Sequence, residues 1–127
     1  MIYLSIPYTG QEYLSFRISC AIAAKLMQQG YIVFSPIAHS HPIAKYGGIN
    51  HRDHAFWLRQ DLAMLRRCDE LWVVILDGWY KSEGVKMERL EAIRLGMPIR
   101  LCSTADYVTE EQENEWRRES DLQKEEL

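Results

Sequence analysis

Leu71-Trp72-Val73-Val74-Ile75-Leu76 is the longest unbroken apolar run in the chain, and the Asp77-Gly78 pair stops it. A run of this length without polar alternation predicts a strand covered on both faces, the pattern of a parallel sheet. Asp-Gly is a turn signal. Working outward, Glu83–Leu95 predicts a helix, with Ser82 as N-cap and Gly96 just past the end. Pro98–Leu101 predicts a short last strand. On the other side, His54–Cys68 predicts a helix with Leu58, Leu62 and Leu65 on one stripe. Residues 36–52 hold Pro36, Pro42, Gly47 and Gly48 and predict a long loop. Tyr31–Phe34 predicts a strand. Glu12–Gln29 carries Leu14, Ile18, Ala21, Ile22 and Leu26 at helical spacing and ends at Gly30, and Ile2–Ile6 predicts the first strand, stopped by Pro7 and Gly10. The order β-α-β-loop-α-β-α-β is that of an α/β domain with a parallel sheet and right-handed crossovers. Ligands of such sheets sit beyond the carboxyl ends of the strands, which selects Pro7–Gly10, Ser35–Asn50 and Asp77–Gly84.

The chain has 127 residues, enough for one domain with one core, and a net charge of −3. The charge is uneven. Residues 109–127 hold eight acids and three bases, so the body, residues 1–108, is slightly basic at +2. That balance excludes a dedicated binder of nucleic-acid polymers, which needs a strong basic excess. The acidic end predicts either a solvated helix or, through Trp116, an oligomer contact. No apolar run is long enough to span a membrane, and Met1-Ile2-Tyr3-Leu4-Ser5 lacks a signal-peptide pattern, so a cytoplasmic protein is expected. Cys20, Cys68 and Cys102 are odd in number, form no CxxC and lie beside apolar residues, so they read as reduced core residues.

Two carboxylates stand out. Asp61 has Trp57, Leu58, Met64 and Leu65 as its helical neighbours, so it must be paired, hydrogen-bonded or functional. A loop cap or a buried Arg partner would serve equally well. Glu88 lies near the start of its predicted helix, where the positive end of the dipole favours the anion. It could be a nucleophile or a solvated helix residue. Ser82 and Gly84 frame the same helix start, where free N–H groups and a hydroxyl can hold an anion or sugar hydroxyls. The Pro7-Tyr8-Thr9-Gly10 turn offers a second such place. Neither matches a dinucleotide fingerprint or a P-loop. Tyr3, Tyr8, Trp79 and Tyr80 fall near strand ends and could stack on a base or fill the core edge. His39, His41, His51 and His54, with Asp53, could ligate a metal or serve hydrogen bonding and base stacking.

Tyr3-Leu4-Ser5-Ile6-Pro7, Gln60-Asp61-Leu62, Cys68-Asp69, Ser82-Glu83-Gly84-Val85-Lys86-Met87-Glu88 and Gly96-Met97-Pro98 stand in that order over residues 2–101. Together they resemble the nucleoside 2-deoxyribosyltransferase family, closest to its short bacterial and phage members and to the branch that hydrolyses deoxynucleoside 5′-monophosphates. The resemblance implies a flavodoxin-like (Rossmann-like) three-layer domain with a four- to five-stranded parallel sheet over residues 1–108; the acidic helix or tail expected over 109–127 lies outside it. It implies Glu88 as nucleophile, Asp61 as the acid toward the base or the group that positions Glu88, and Tyr3 as its hydrogen-bonding partner. The family's transferases carry Asp six residues before the nucleophile. Ser82 stands there, as in the monophosphate-hydrolysing branch, which favours a phosphorylated substrate or hydrolysis. Pro7-Tyr8-Thr9-Gly10 replaces the family's Gly-Pro-aromatic turn, and Lys86 and Arg89 flank Glu88 where small or apolar residues are usual.

The expected function is therefore cleavage or transfer at the N-glycosidic bond of a small-molecule nucleoside or nucleotide. No cofactor or metal is expected, and the resemblance implies a homo-oligomer. Ser82, Gly84, Asp77 and the Pro7–Gly10 turn would hold the sugar or a 5′-phosphate. His39, in the 36–52 segment, and Trp79 would cover the base. A non-catalytic nucleotide-binding module on the same fold, and a metal-dependent hydrolase using His39, His41, His51 and Asp53, are the competing readings.

Overall fold

The first strand, β1 (Ile2–Ser5), sorts its side chains by the two-residue period of a strand. Ile2 and Leu4 enter one core, while Tyr3 enters a second core on the opposite face. The computed structural model describes residues 1–125. The remaining elements in chain order are α1 (Glu12–Gln28), β2 (Val33–Phe34), α2 (Pro36–Gly47), α3 (His54–Leu65), β3 (Glu70–Ile75), α4 (Glu83–Arg94), β4 (Ile99–Ser103) and α5 (Glu110–Glu125). The four strands lie in the order β2-β1-β3-β4 and every pair is parallel. This is the expected α/β three-layer, flavodoxin-like sheet, with four strands.

Each face of the sheet has its own core. Ile2, Leu4, Trp72, Val74 and Cys102 pack under Leu14, Ile18, Ile22 and Leu26 of α1 and Trp116 of α5. Tyr3, Leu71 and Val73 pack against Leu65 next to Val85 and Ala92 of α4. Arg66, just past α3, ties the two helices of this second face to each other by bonding Glu91 of α4 at 3.1 Å. No helix among the described residues is long and apolar enough to cross a membrane.

Three expectations are corrected. The segment expected as a loop is largely helix α2. Ser35 caps it by accepting from the Ala38 N–H at 3.2 Å, and Pro36 occupies the first turn, where its missing N–H costs nothing. Pro42 lies inside the helix and is tolerated there, and Gly48 ends it at φ 72°. The acidic end is not a free tail. Trp116 is 7% exposed and packs into the first core of its own chain, beneath the Arg17 guanidinium at 4.7 Å from its ring. Cys20 is exposed, while Cys68 and Cys102 are buried as expected.

Candidate active site

The chain leaves β1 toward β2 on one side, and β3 lies on the other, so the connections after β1 and β3 diverge. Such a switch point opens a crevice at the carboxyl ends of the strands. A cavity of about 690 Å³ lies there. Its walls come from the β1–α1 turn (Ile6, Pro7, Tyr8, Thr9, Gln11), from α2 (Pro36, Ile37, Ser40, Ala44) and from α3 with the turn before it (His51, His54, Trp57, Leu58, Asp61). The fourth wall is the β3–α4 connection and α4 itself (Asp77, Gly78, Lys81, Ser82, Glu83, Gly84, Met87, Glu88). The Gln11 side-chain amide donates to the Asp77 carbonyl at 2.8 Å and fastens the first turn to the third connection.

Glu88 is the centre of this arrangement. It is 6% exposed yet reaches the cavity from α4. Its Oε2 accepts from the Tyr3 hydroxyl, and its Oε1 accepts from the Ser5 hydroxyl at 2.8 Å. Tyr3 and Ser5 are two residues apart on β1 and so project from the same face of the strand. Burial pushes the Glu88 carboxyl up to about 8, the Tyr3 bond opposes that, nearby Asp61 adds to it, and the Ser5 bond opposes it. The sequence-based expectation that the helix start favours the anion is corrected here. The dipole acts within the first turn, and Glu88 lies in the second, where desolvation is the larger effect. Burial likewise pushes Asp61 up to about 7. No hydrogen bond or ion pair to Asp61 is found among the described residues, so neither a loop cap nor an Arg partner accounts for it. Burial first, then the Glu88 charge, also raises the Tyr3 phenol well above its usual range.

Two carboxyls that both resist ionisation line one cavity, and the Asp61 charge adds to the rise at Glu88. Such a pair can present an acid and a base at the same time near neutral pH.

Most of the other expected site residues meet here. Pro7, Tyr8, Thr9, Asp77, Ser82 and Gly84 all line the cavity, and Tyr3 stands behind Glu88. The Ser82 hydroxyl oxygen caps α4 by accepting from the Val85 N–H at 3.3 Å, which leaves its proton free to donate. Gly10, His39 and Trp79 fall outside the cavity lining. Gly10 holds the turn at φ 89° and donates its N–H to Glu12 at 2.8 Å. His39 lies beside Phe34, ring centroids 5.6 Å apart. Trp79 packs on the second core under the Arg89 guanidinium. His51 and His54, rather than His39, face the cavity.

The metal reading loses its geometry. Asp53 caps α3 through the Phe56 N–H, and His41 bonds Tyr8 at 2.6 Å while stacking on Phe16. No group of three metal-ligating side chains gathers among the described residues.

Sequence reading missed Ser5, Trp57, Lys81 and Met87. The signal for Ser5 was its two-residue spacing from Tyr3, and that for Trp57 its place one helical turn before Asp61.

A search of curated proteins gives no match. A family model described as "Domain of unknown function (DUF1937)" matches residues 1–104, which include every strand and every cavity residue named above and stop short of α5. With that match over most of its length, the chain belongs to the DUF1937 family.

Proposed function

We propose that this protein cleaves or transfers at the N-glycosidic bond of a (deoxy)nucleoside or nucleoside 5′-monophosphate, with Glu88 as nucleophile. The observation that carries this reading is the buried Glu88 carboxyl, gripped by Tyr3 and facing Asp61 across a ligand-sized cavity. Its volume of about 690 Å³ suits a nucleotide. The apolar wall of Pro36, Ile37, Trp57 and Leu58 suits a flat base, and the polar end around Glu88 and Ser82 suits a sugar.

In the proposed reaction the Glu88 carboxylate attacks C1′ as the C1′–N bond breaks. The electron pair of that bond leaves with the base, which takes the Asp61 proton. Water or a second base then attacks C1′ of the glycosyl–Glu88 ester and returns a proton to Asp61. Glu88 is released as the anion. Ser82 donates to the sugar or its phosphate. The substrate is a small molecule, and the site of action is the cytoplasm. The exposed apolar residues Leu90, Ile93 and Leu101 support a homo-oligomer.

The test is incubation with deoxynucleosides and their 5′-monophosphates, with and without an acceptor base, followed by chromatography. Base release is expected from the native protein and none from Glu88→Gln. Absence of base release across the panel, with a nucleotide still bound, would make the protein a binding module instead.

A further inference from the structure

Glu88 has two hydroxyl donors, and the reaction accounts for one of them. The second, Ser5, comes from β1, is fully buried, and donates to Oε1 at 2.8 Å while Tyr3 holds Oε2. Asp61, on the facing helix, has no such donor among the described residues. Donors aimed at a carboxylate favour its ionised form and so oppose the cost of burial.

We infer that Ser5 is a positioning residue: with Tyr3 it clamps both oxygens of Glu88, holds the carboxyl in one plane and favours its ionised form against the cost of burial. The assignment rests on the N-glycosidic reading for its purpose and on the hydrogen-bond geometry for its existence. A carboxylate has about four acceptor positions. Two are taken by Ser5 and Tyr3, which fixes the plane of the group and leaves the others for C1′. The other charged or titratable groups are Tyr3 behind Glu88 on β1 and, lining the cavity, Tyr8 from the β1–α1 turn, His51 and His54 from α3 and the turn before it, and Asp77, Lys81 and Glu83 from the β3–α4 side. Among the described residues, only Tyr3 and Ser5 hydrogen-bond to the Glu88 carboxylate through their side chains. A carboxyl must be ionised to attack, so donors that oppose the protonation of Glu88 raise the fraction of the protein that can react.

The experiment is a carbon-13 titration of the full-length protein labelled at Asp and Glu side-chain carboxyls. Glu88→Gln and Asp61→Asn identify the two signals. In Ser5→Ala the Glu88 titration is expected to move up by about one pH unit, a shift of the size one charge-assisted hydrogen bond gives. Base release at pH 7 is expected to fall about tenfold in kcat with KM nearly unchanged, and Ser5→Thr, which keeps the hydroxyl, restores both. An unmoved Glu88 titration in Ser5→Ala overturns the inference. If Ser5→Ala does not fold, Ser5→Cys keeps the volume with a weaker donor. A smaller upward shift then supports the inference and no shift overturns it. The titration needs no substrate, so absence of base release from the native protein would remove the N-glycosidic reading and leave the test of Ser5 standing.

Discussion

The Tyr3 hydroxyl on the first strand donates to the Glu88 carboxylate, 85 residues further along the chain, with both groups buried. The contact joins β1 to α4 and sets the Glu88 carboxyl at the switch point of the sheet. Tyr3→Phe keeps the ring that packs against Phe34 and removes only the donor. Its loss is expected to raise the Glu88 titration further and slow base release at neutral pH by tenfold or more. Stability should fall by only about 1 kcal/mol in urea unfolding, because Ser5 still satisfies the carboxyl.

The pair should also write itself into the pH dependence of stability. Glu88 titrates at about 8 in the fold against an ordinary 4.5, and Asp61 at about 7 against 3.8. A raised carboxyl binds its proton more tightly in the folded state. Its contribution is therefore fully present below the unfolded value and is lost as pH rises through the folded one. Unfolding free energy is expected to fall between about pH 5 and pH 8, by up to a few kcal/mol at ~1.4 kcal/mol per unit. Glu88→Gln should remove about half of that slope and leave the part that Asp61 carries. Denaturant unfolding of both proteins at pH 5 and pH 8 checks this, and equal slopes would mean that Glu88 is not desolvated.

The sheet was legible because burial on both faces leaves an unmistakable apolar run, as in Leu71–Leu76. Glu88 and Asp61 were legible as carboxyls on apolar helix faces, and the structure sends both into one cavity. What failed was punctuation. Ser35-Pro36 reads as the end of a strand and equally as the N-cap and first residue of a helix. Helix α2 was hidden by that ambiguity and by Pro42 within it, and with it one wall of the cavity. The placement of His39 and Trp79 failed for a different reason. Which way a side chain near a strand end points depends on tertiary packing that no local pattern encodes.

Helix α5 lies beyond the family match, yet it completes the first helix. Gln11 gives α1 no side-chain cap, and the Ser120 hydroxyl supplies one from α5 by accepting from the Leu14 N–H at 3.3 Å. Ser120→Ala is expected to cost about 1 kcal/mol, the usual worth of a cap. Trp116→Ala is expected to cost about 3 kcal/mol, because it empties a buried aromatic site against α1. Neither residue lines the main cavity, so base release per folded molecule should be unchanged in both. Thermal unfolding and activity measured side by side separate these outcomes.

In the proposed reaction Asp61 can assist in two ways, by protonating the departing base or by acting on Glu88 through its charge, and the leaving group discriminates between them. An ordinary purine leaves as an anion unless it is protonated, so the loss of an acid should slow its release by about 10²–10⁴-fold. A purine already methylated at N7 carries a positive charge and departs neutral, with no need of a proton. If Asp61 is the acid, Asp61→Asn should lose most of its activity on ordinary deoxynucleotides and retain most of it on the N7-methylated analogue. If Asp61 acts only through Glu88, both substrates should slow by the same factor, because the nucleophile is common to both. Removing Asp61 also removes a charge that raises the Glu88 titration, so the acid limb of the pH–rate profile should move down on the methylated substrate. Rates of both substrates across pH 5–9 therefore read the acid role and the electrostatic role separately in one variant.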